Sequence, residues 1–193
     1  MISKFFEIGK FTEKINLFLF YGENDGQKLE TISTNFSHFT KENTFKYYEK
    51  DILENKQLLF ENIYSKSFFE NEKLIIITEI TDKFLNVILE IKESNLDEVK
   101  IILLTKKLEK KSKIRNFFEK EEKTLIVPFY EDTAQNLVTI ARKILSENKI
   151  YLSQEQLNLI IDRARNDRIS LKNELEKIIA LSKNKNKIDL NDI

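Results

Sequence analysis

Four short apolar runs most constrain the fold of this chain. Three of them are rich in β-branched residues and do not alternate with polar ones: KLIIIT at 73–78, VKIILLT at 99–105 and TLIVPFY at 124–130. The fourth, INLFLFYG at 15–22, ends in a glycine. Runs without alternation are typical of strands that are covered on both faces. Helical patterns separate the runs, so the sequence predicts a parallel sheet built from βαβ units.

The segments between the runs predict the helices of this sheet domain. After the run at 15–22, apolar residues at helical spacing indicate a helix that begins near Asp25 and carries Leu29, Ile32, Phe36 and Phe39. Further single helices are predicted for ILENKQLLFENIY at 52–64, DKFLNVILEI at 82–91 and SKIRNFFEK at 112–120. TFKYYEK at 44–50 is a weaker candidate for a strand.

The pattern changes after Pro128, where three apolar helical stripes follow with no strand between them. Stripes of similar length with short connections predict a small three-helix bundle. We therefore predict an α/β domain over residues 1–130 and a helical domain over residues 131–193. A capping box is predicted at the start of the first helix and another at the start of the second, and the third helix has a predicted serine cap. The residues are Asp132 with Gln135, Ser153 with Gln156, and Ser170.

Composition excludes several kinds of site. The 193 residues include no cysteine, which excludes disulfides and thiol-based metal sites. The single histidine, His38, argues against a histidine-based catalytic site or a zinc cluster, and we expect no metal site. The formal net charge is zero, so bulk charge predicts no nucleic-acid partner. No apolar run approaches the ~18 residues of a membrane-spanning helix, and we expect no membrane association.

The stretch LFLFYGENDGQKLETI at 17–32 has the outline of a phosphate-binding loop. A working loop reads G-x-x-x-x-G-K-[ST]; its amides cradle phosphates, its lysine reaches the outer phosphates and its hydroxyl holds Mg²⁺. Here three residues, not four, separate Gly22 from Gly26. Lys28 does not directly follow the glycine, and Leu29 stands where the hydroxyl should be. The loop therefore occupies the position of a phosphate-binding loop in the predicted fold, but it departs from the motif in spacing and lacks the hydroxyl residue that would hold Mg²⁺.

Carboxylates argue against nucleotide hydrolysis at the same place. Glu23 and Asp25 put negative charge where phosphate charge would sit. Hydrolysis also needs an acidic pair after an apolar strand, and the best candidate offers Thr78 in place of the metal-binding aspartate, with Glu79 beside it. We therefore expect no catalytic residues, and interpret the two glycines as shaping a turn before a helix.

Two basic segments are weaker candidates for contacts to phosphate. KKLEKKSKIR at 106–115 follows the run at 99–105; such a segment is usually a solvated face, and the alternative is a DNA-phosphate contact without an aromatic stacking platform. Its candidate residues are Lys106, Lys107, Lys110 and Lys111. RARNDR at 163–168 could supply an arginine finger, although surface charges with a helix stop are the ordinary interpretation.

A pair of phenylalanines stands in the connection YSKSFFENEK at 64–73. Adjacent residues in a connection cannot easily both point into one core, so at least one ring of Phe68 and Phe69 is expected to be exposed. Exposed paired aromatics can anchor a partner in a pocket. Ordinary packing is the alternative.

Four segments, in order, carry a resemblance to a known family. They are NLFLFYGENDGQKLETI at 16–32, SFFENEKLIIIT at 67–78, IILLTKKLEKKSKIRNFFEK at 101–120 and ARNDRISLKNELEKIIAL at 164–181. Each motif is weak alone, but the ordered set resembles the delta subunit of the bacterial DNA polymerase III clamp loader. The resemblance runs over nearly the whole chain, which ends in IDLNDI where the family has a similar segment.

The resemblance implies an AAA+-like module, in which a RecA-type parallel sheet domain with helices on both faces is followed by a three-helix lid. It implies that nucleotide binding has been lost, that there is no cofactor and no catalysis by this subunit of the polymerase holoenzyme, and that the protein is cytoplasmic. It makes Phe68 and Phe69 a wedge that binds the sliding clamp (the beta subunit).

The family has a third, collar-forming domain that contacts the other clamp-loader subunits. This chain lacks it, and its last residues read like the start of another helix, so we expect a fragment. Primer-template DNA is implied only as an indirect partner. Two rival functions remain open: an ATP-binding AAA+ subunit with a divergent loop, and a nucleic-acid-binding module that uses the run at 106–115.

Overall fold

The computed structural model describes residues 1–65, 72–94, 96–165, 167–183, 185, 188, 189 and 192. Over these residues the chain forms a five-stranded sheet in the order β2-β3-β4-β1-β5, with every neighbouring pair parallel. The strands are β1 (Leu17–Tyr21), β2 (Thr44–Tyr48), β3 (Lys73–Thr78), β4 (Val99–Thr105) and β5 (Thr124–Pro128). The predicted parallel α/β sheet is confirmed.

Eight α-helices lie among the described residues. They are α1 (Asp25–Asn35), α2 (Glu49–Glu54), α3 (Gln57–Tyr64), α4 (Leu85–Glu93), α5 (Lys113–Lys120), α6 (Ala134–Glu147), α7 (Gln154–Ala164) and α8 (Arg168–Ser182). Short 3₁₀ helices cover Phe5–Lys10 and Asp82–Phe84.

Two helical segments of the sheet domain differ from the predicted helices. The single helix predicted over 52–64 is wrong: α2 and α3 are separate, and the side chain of Asn55 accepts a hydrogen bond from the amide of Gln57, which lets a new helix begin there. The helix predicted over 82–91 starts as a 3₁₀ turn instead. Leu29, placed on the apolar face of the first helix, is 55% exposed.

Apolar side chains cover both faces of the sheet, and this explains why its strands do not alternate with polar residues. Leu19 belongs to a buried cluster with Ile75 and Ile101 on one face. Its neighbour Phe18 belongs to a second cluster on the other face, with Ile102. Successive residues of a strand point to opposite faces, so each central strand supplies both cores.

The strand register brings the carboxyl ends of the strands to one edge. At the end of β1, Tyr21 lies beside Thr105 of β4 and beside Pro128 of β5. In open α/β sheets, ligands bind outside this edge of the sheet. A binding site is therefore expected in the connections that follow β1, β3 and β4.

The chain divides into two compact units. One contains Met1–Glu23 and Lys28–Phe129, and the other contains Asn24–Gln27 and Tyr130–Ile193. In the second unit, α6, α7 and α8 pack around a common apolar core that includes Leu137, Ile160 and Leu171. The three predicted helices are all present.

The caps of these helices agree only in part with the predictions. The Ser153–Gln156 capping box at the start of α7 is confirmed. The cap of α6 is Thr133 rather than Asp132, and the cap of α8 is Asp167, whose carboxylate accepts a hydrogen bond from the amide of Ser170. The carboxylate of Asp132 instead accepts hydrogen bonds from Arg168. Within the described residues, no helix combines the length and apolarity that crossing a bilayer requires.

Candidate functional site

The turn after β1 depends on a glycine at position 22. Gly22 has a φ of 125°, in the region that favours glycine. A Cβ at this position would lie 1.9 Å from the carbonyl oxygen of Phe129. The amide of Gly22 also donates hydrogen bonds to the carbonyl oxygens of Thr105 (3.2 Å) and Lys106 (3.1 Å). Close packing of backbones at the end of three strands accounts for this glycine without a bound phosphate.

The lysine of the loop is directed into the protein. Lys28 is only 2% exposed. Its Nζ donates a hydrogen bond to the carbonyl oxygen of Thr105, at the end of β4, over 3.1 Å. A lysine that reaches outer phosphates needs its ammonium at the open edge of the loop. To bind a phosphate, the ammonium of Lys28 would have to break its hydrogen bond with the carbonyl oxygen of Thr105.

The first turn of α1 is capped by a side chain. The Oδ1 atom of Asn24 accepts a hydrogen bond from the amide of Gln27 over 2.9 Å. The Nδ2 atom of Asn24 donates to Asp132 Oδ2 (2.9 Å) and to the carbonyl oxygen of Tyr130 (3.0 Å). Because its amide nitrogen is held on Asp132, the oxygen of Asn24 is turned toward the helix.

A buried ion pair completes this cluster. Arg168 donates from Nε to Asp132 Oδ2 (2.7 Å) and from Nη2 to Asp132 Oδ1 (2.6 Å), a bidentate arrangement. The two side chains are 9% and 4% exposed. The ordinary interpretation of 163–168 as surface charge is therefore wrong for Arg168. No local pattern indicated this pair, because its members are far apart in sequence and on different elements.

Gly26 lies in the same unit and permits close packing. A Cβ at Gly26 would be 3.0 Å from the Cβ of Arg168 and 3.3 Å from the amide nitrogen of Ile169. The glycine thus lets the first turn of α1 approach the first turn of α8. Both glycines of the phosphate-loop outline have steric roles in the structure.

The end of β3 does not provide a metal-binding acidic pair. Thr78 Oγ1 donates to the carbonyl oxygen of Tyr47 (3.3 Å), and Glu79 is exposed with a φ of 63°. Asp82, which follows, instead serves α5: it accepts hydrogen bonds from Ser112 Oγ (2.6 Å) and from two amides of the first turn (3.1 Å each). Among the residues that the structure describes, no three histidine, aspartate or glutamate side chains are grouped for a metal ion.

The pKa of Asp82 is lower than its ordinary value. Partial burial of the carboxylate tends to raise the pKa, but the hydrogen bonds from Ser112, Ile114 and Lys113 together lower it more. The carboxylate is therefore stabilised in its charged form at the start of α5. Its chemistry is that of a helix cap rather than that of an acid or base.

The candidate DNA-phosphate residues lie on one connection. Lys106, Lys107, Lys110 and Lys111 are all exposed, between β4 and α5 at the carboxyl edge of the sheet. Lys111 lies 3.2 Å from Glu109, and both side chains are largely exposed. The structure brings these four residues together on one loop.

The predicted wedge, Phe68 and Phe69, lies outside the described residues. The described chain stops at Ser65 and resumes at Glu72, and hydrogen bonds of Lys73 join these two ends. Lys73 donates from Nζ to the carbonyl oxygen of Asn62 (2.9 Å) and to Ser65 Oγ (2.7 Å), and it also contacts the carbonyl oxygen of Ser65. Burial lowers the pKa of Lys73. The chain therefore leaves α3 and enters β3 at two points that are fixed together.

No family model matches this chain, and no curated protein matches it. The chain is, however, similar to several solved structures. The Bacillus subtilis DNA clamp loader delta protein is similar with a TM-score of 0.62 at 15% identity, over 97% of this chain and 60% of that one. Domain III of the Thermotoga maritima replication initiation protein DnaA gives 0.54 at 16% identity, over 97% and 85%. The Thermotoga maritima RuvB Holliday junction branch migration motor gives 0.58 at 12% identity, over 97% and 63%.

These similarities show the fold. The chain has an AAA+ or RecA-like fold, with a five-stranded parallel sheet and helices around it. It spans 60% of the length of the clamp loader delta protein.

Proposed function

We propose that this chain is part of a clamp-loader delta subunit, which binds one protomer of a sliding clamp and opens the ring or traps it open. It does so without hydrolysing a nucleotide. The fold is compatible with this function and with that of an ATP-binding subunit. The observation that favours delta is the burial of Lys28 on the carbonyl oxygen of Thr105. A nucleotide-binding subunit would need that ammonium for phosphate.

The proposed contact is the pair Phe68 and Phe69. Burying each ring in a clamp pocket would contribute about 1.5–3 kcal/mol before the cost of ordering the segment. The Lys73 contacts with Ser65 support this assignment, because fixed ends reduce the chain entropy that a binding segment loses. ATP-driven partner subunits would control when the pair is accessible to the clamp.

The test is complex formation with the cognate sliding clamp, followed by size-exclusion chromatography and calorimetry. We expect the unaltered chain to bind. The variant Phe68→Ala with Phe69→Ala should lose binding, because aromatic anchors at an interface centre commonly contribute about 2 kcal/mol or more each. Its melting temperature should stay nearly unchanged.

The chain offers a matched control in a second pair of adjacent phenylalanines. Phe5 and Phe6 lie in the first 3₁₀ helix, and Phe6 is 67% exposed. The variant Phe5→Ala with Phe6→Ala removes the same number of ring atoms and should keep clamp binding. Equal loss of binding in both variants, or unfolding of the Phe68–Phe69 variant, would show that Phe68 and Phe69 are not the anchor.

A further inference from the structure

The segment Lys106–Ser112, here called the lysine loop, is the most basic connection at the carboxyl edge of the sheet. Its sequence KKLEKKS contains four lysines and one glutamate, in a chain whose formal net charge is zero. All four lysines are exposed. The positive charge is therefore concentrated in this loop. A function of the loop would be independent of the clamp contact proposed above.

The backbone of the lysine loop is held at three points. Thr105 Oγ1 donates a hydrogen bond to the carbonyl oxygen of Lys107 (3.3 Å). Leu108 is partly buried against the core of the sheet unit. Ser112 donates from Oγ to Asp82 (2.6 Å) and caps α5. Because the backbone is fixed, the lysine side chains can bind a partner with less loss of loop entropy.

The guanidinium of Arg115, which follows the lysine loop on α5, is engaged within the protein. Arg115 donates from Nε to Glu119 (2.7 Å), and its guanidinium lies 5.4 Å from the ring centre of Tyr21. Amides in the first turn of α5 donate to Asp82. An anion at the carboxyl edge of the sheet would therefore contact the lysines of the loop rather than the amides at the start of α5. The ion pair of Lys111 with Glu109 is exposed, so it contributes little and would yield to a polyanion.

The chemistry of the loop selects one kind of polyanion. The segment contains no aromatic residue on which an unpaired base could stack, which argues against single-stranded nucleic acid. Its one large apolar residue, Leu108, packs inward, so nothing remains to insert into a membrane. Lysines neutralise the phosphates of duplex DNA, and such contacts carry no base-sequence information. We propose that the lysine loop binds the phosphate backbone of duplex DNA without sequence preference.

The test is fluorescence anisotropy of a labelled DNA duplex at several salt concentrations between about 25 and 200 mM. Each lysine–phosphate contact adds about 0.9 to the steepness with which the logarithm of affinity falls against the logarithm of salt. The variant Lys107→Gln with Lys110→Gln should therefore bind more weakly and lose roughly 1.8 of that steepness. Two duplexes of unrelated sequence should give the same result.

The control variant is Lys120→Gln with Lys123→Gln, which removes the same charge from exposed lysines near the end of α5 in the same unit. It should bind DNA like the unaltered chain. Equal weakening in both variants, no DNA binding at the lowest salt, or binding only to single strands or anionic vesicles would overturn the proposal. The Phe68→Ala, Phe69→Ala variant should keep DNA binding, and the loop variant should keep clamp binding, so the two proposals fail separately.

Discussion

Arg168 and Asp132 form a bidentate ion pair inside the helical unit, with donor–acceptor distances of 2.6 and 2.7 Å. The same carboxylate accepts a hydrogen bond from Asn24, which caps α1. An internal anion is thus connected, through one amide side chain, to a helix start of the kind that often faces a phosphate. The arrangement satisfies these polar groups without a ligand.

Removing one member of this pair should be strongly destabilising. Asp132→Ala removes the carboxylate that neutralises the buried guanidinium of Arg168, and we expect a loss of about 3–5 kcal/mol in the free energy of unfolding. Replacing both residues by apolar ones, Asp132→Leu with Arg168→Met, should cost much less. Urea unfolding followed by circular dichroism measures both. Similar losses in the single and double variants would contradict this explanation, which attributes the loss to the buried charge of Arg168 that Asp132 no longer neutralises.

The sheet was predictable because its central strands are buried on both faces and carry a continuous apolar signal. The runs at 73–78 and 99–105 match β3 and β4 residue for residue. The weaker signal of 44–50 corresponds to β2, one of the two edge strands, whose residues are only partly buried or exposed. The side chains of β2 are covered less than those of β5 at the other edge, so its sequence is less constrained.

Tertiary polar contacts were not predictable in the same way. Asp132 matched a capping-box pattern, but its carboxylate binds Arg168, and Thr133 caps α6 instead. Residues 24–27 belong with the helical unit although they precede most of the sheet in sequence. Neither relationship has a periodic signal, because both depend on where distant segments meet.

The turn at Gly22 should not tolerate a side chain. A Cβ there would lie 1.9 Å from a backbone oxygen of Phe129, and the φ of 125° is unfavourable for any other residue. Gly22→Ala is therefore expected to cost several kcal/mol or to prevent folding. Gly9→Ala is the control, because its Cβ would meet only the Asn35 side chain at 3.1 Å. Thermal unfolding of both variants checks this, and equal tolerance at the two positions would contradict it.

We expect the chain not to bind ATP with Mg²⁺. The reasons are the shortened spacing between Gly22 and Gly26, Leu29 in place of a hydroxyl residue, and the engagement of Lys28 by Thr105. ATP at millimolar concentration should leave the melting temperature unchanged. Lys28→Met should lower the melting temperature, because it removes a buried hydrogen bond. Micromolar ATP binding by calorimetry would instead support the ATP-binding alternative.

Asp82 should make the stability of the sheet unit depend on acid pH. Its pKa is lowered in the folded chain, since the hydrogen bonds from Ser112, Ile114 and Lys113 outweigh the opposing effect of burial. The stabilisation is therefore complete above the ordinary aspartate pKa of about 3.9, and it is lost as the pH falls through the lower folded value. Asp82→Asn should be less stable than the unaltered chain at neutral pH and should lose less stability on acidification.

The control for this prediction is Asp51→Asn, which removes one exposed carboxylate from α2 of the same unit. Urea unfolding at pH values from about 3 to 7 gives the free energy of unfolding of each protein as a function of pH. We expect the curve of Asp51→Asn to run parallel to that of the unaltered chain, and the curve of Asp82→Asn to converge on it at low pH. If the Asp82→Asn curve instead stays parallel over the whole range, the carboxylate does not act as the charged cap of α5.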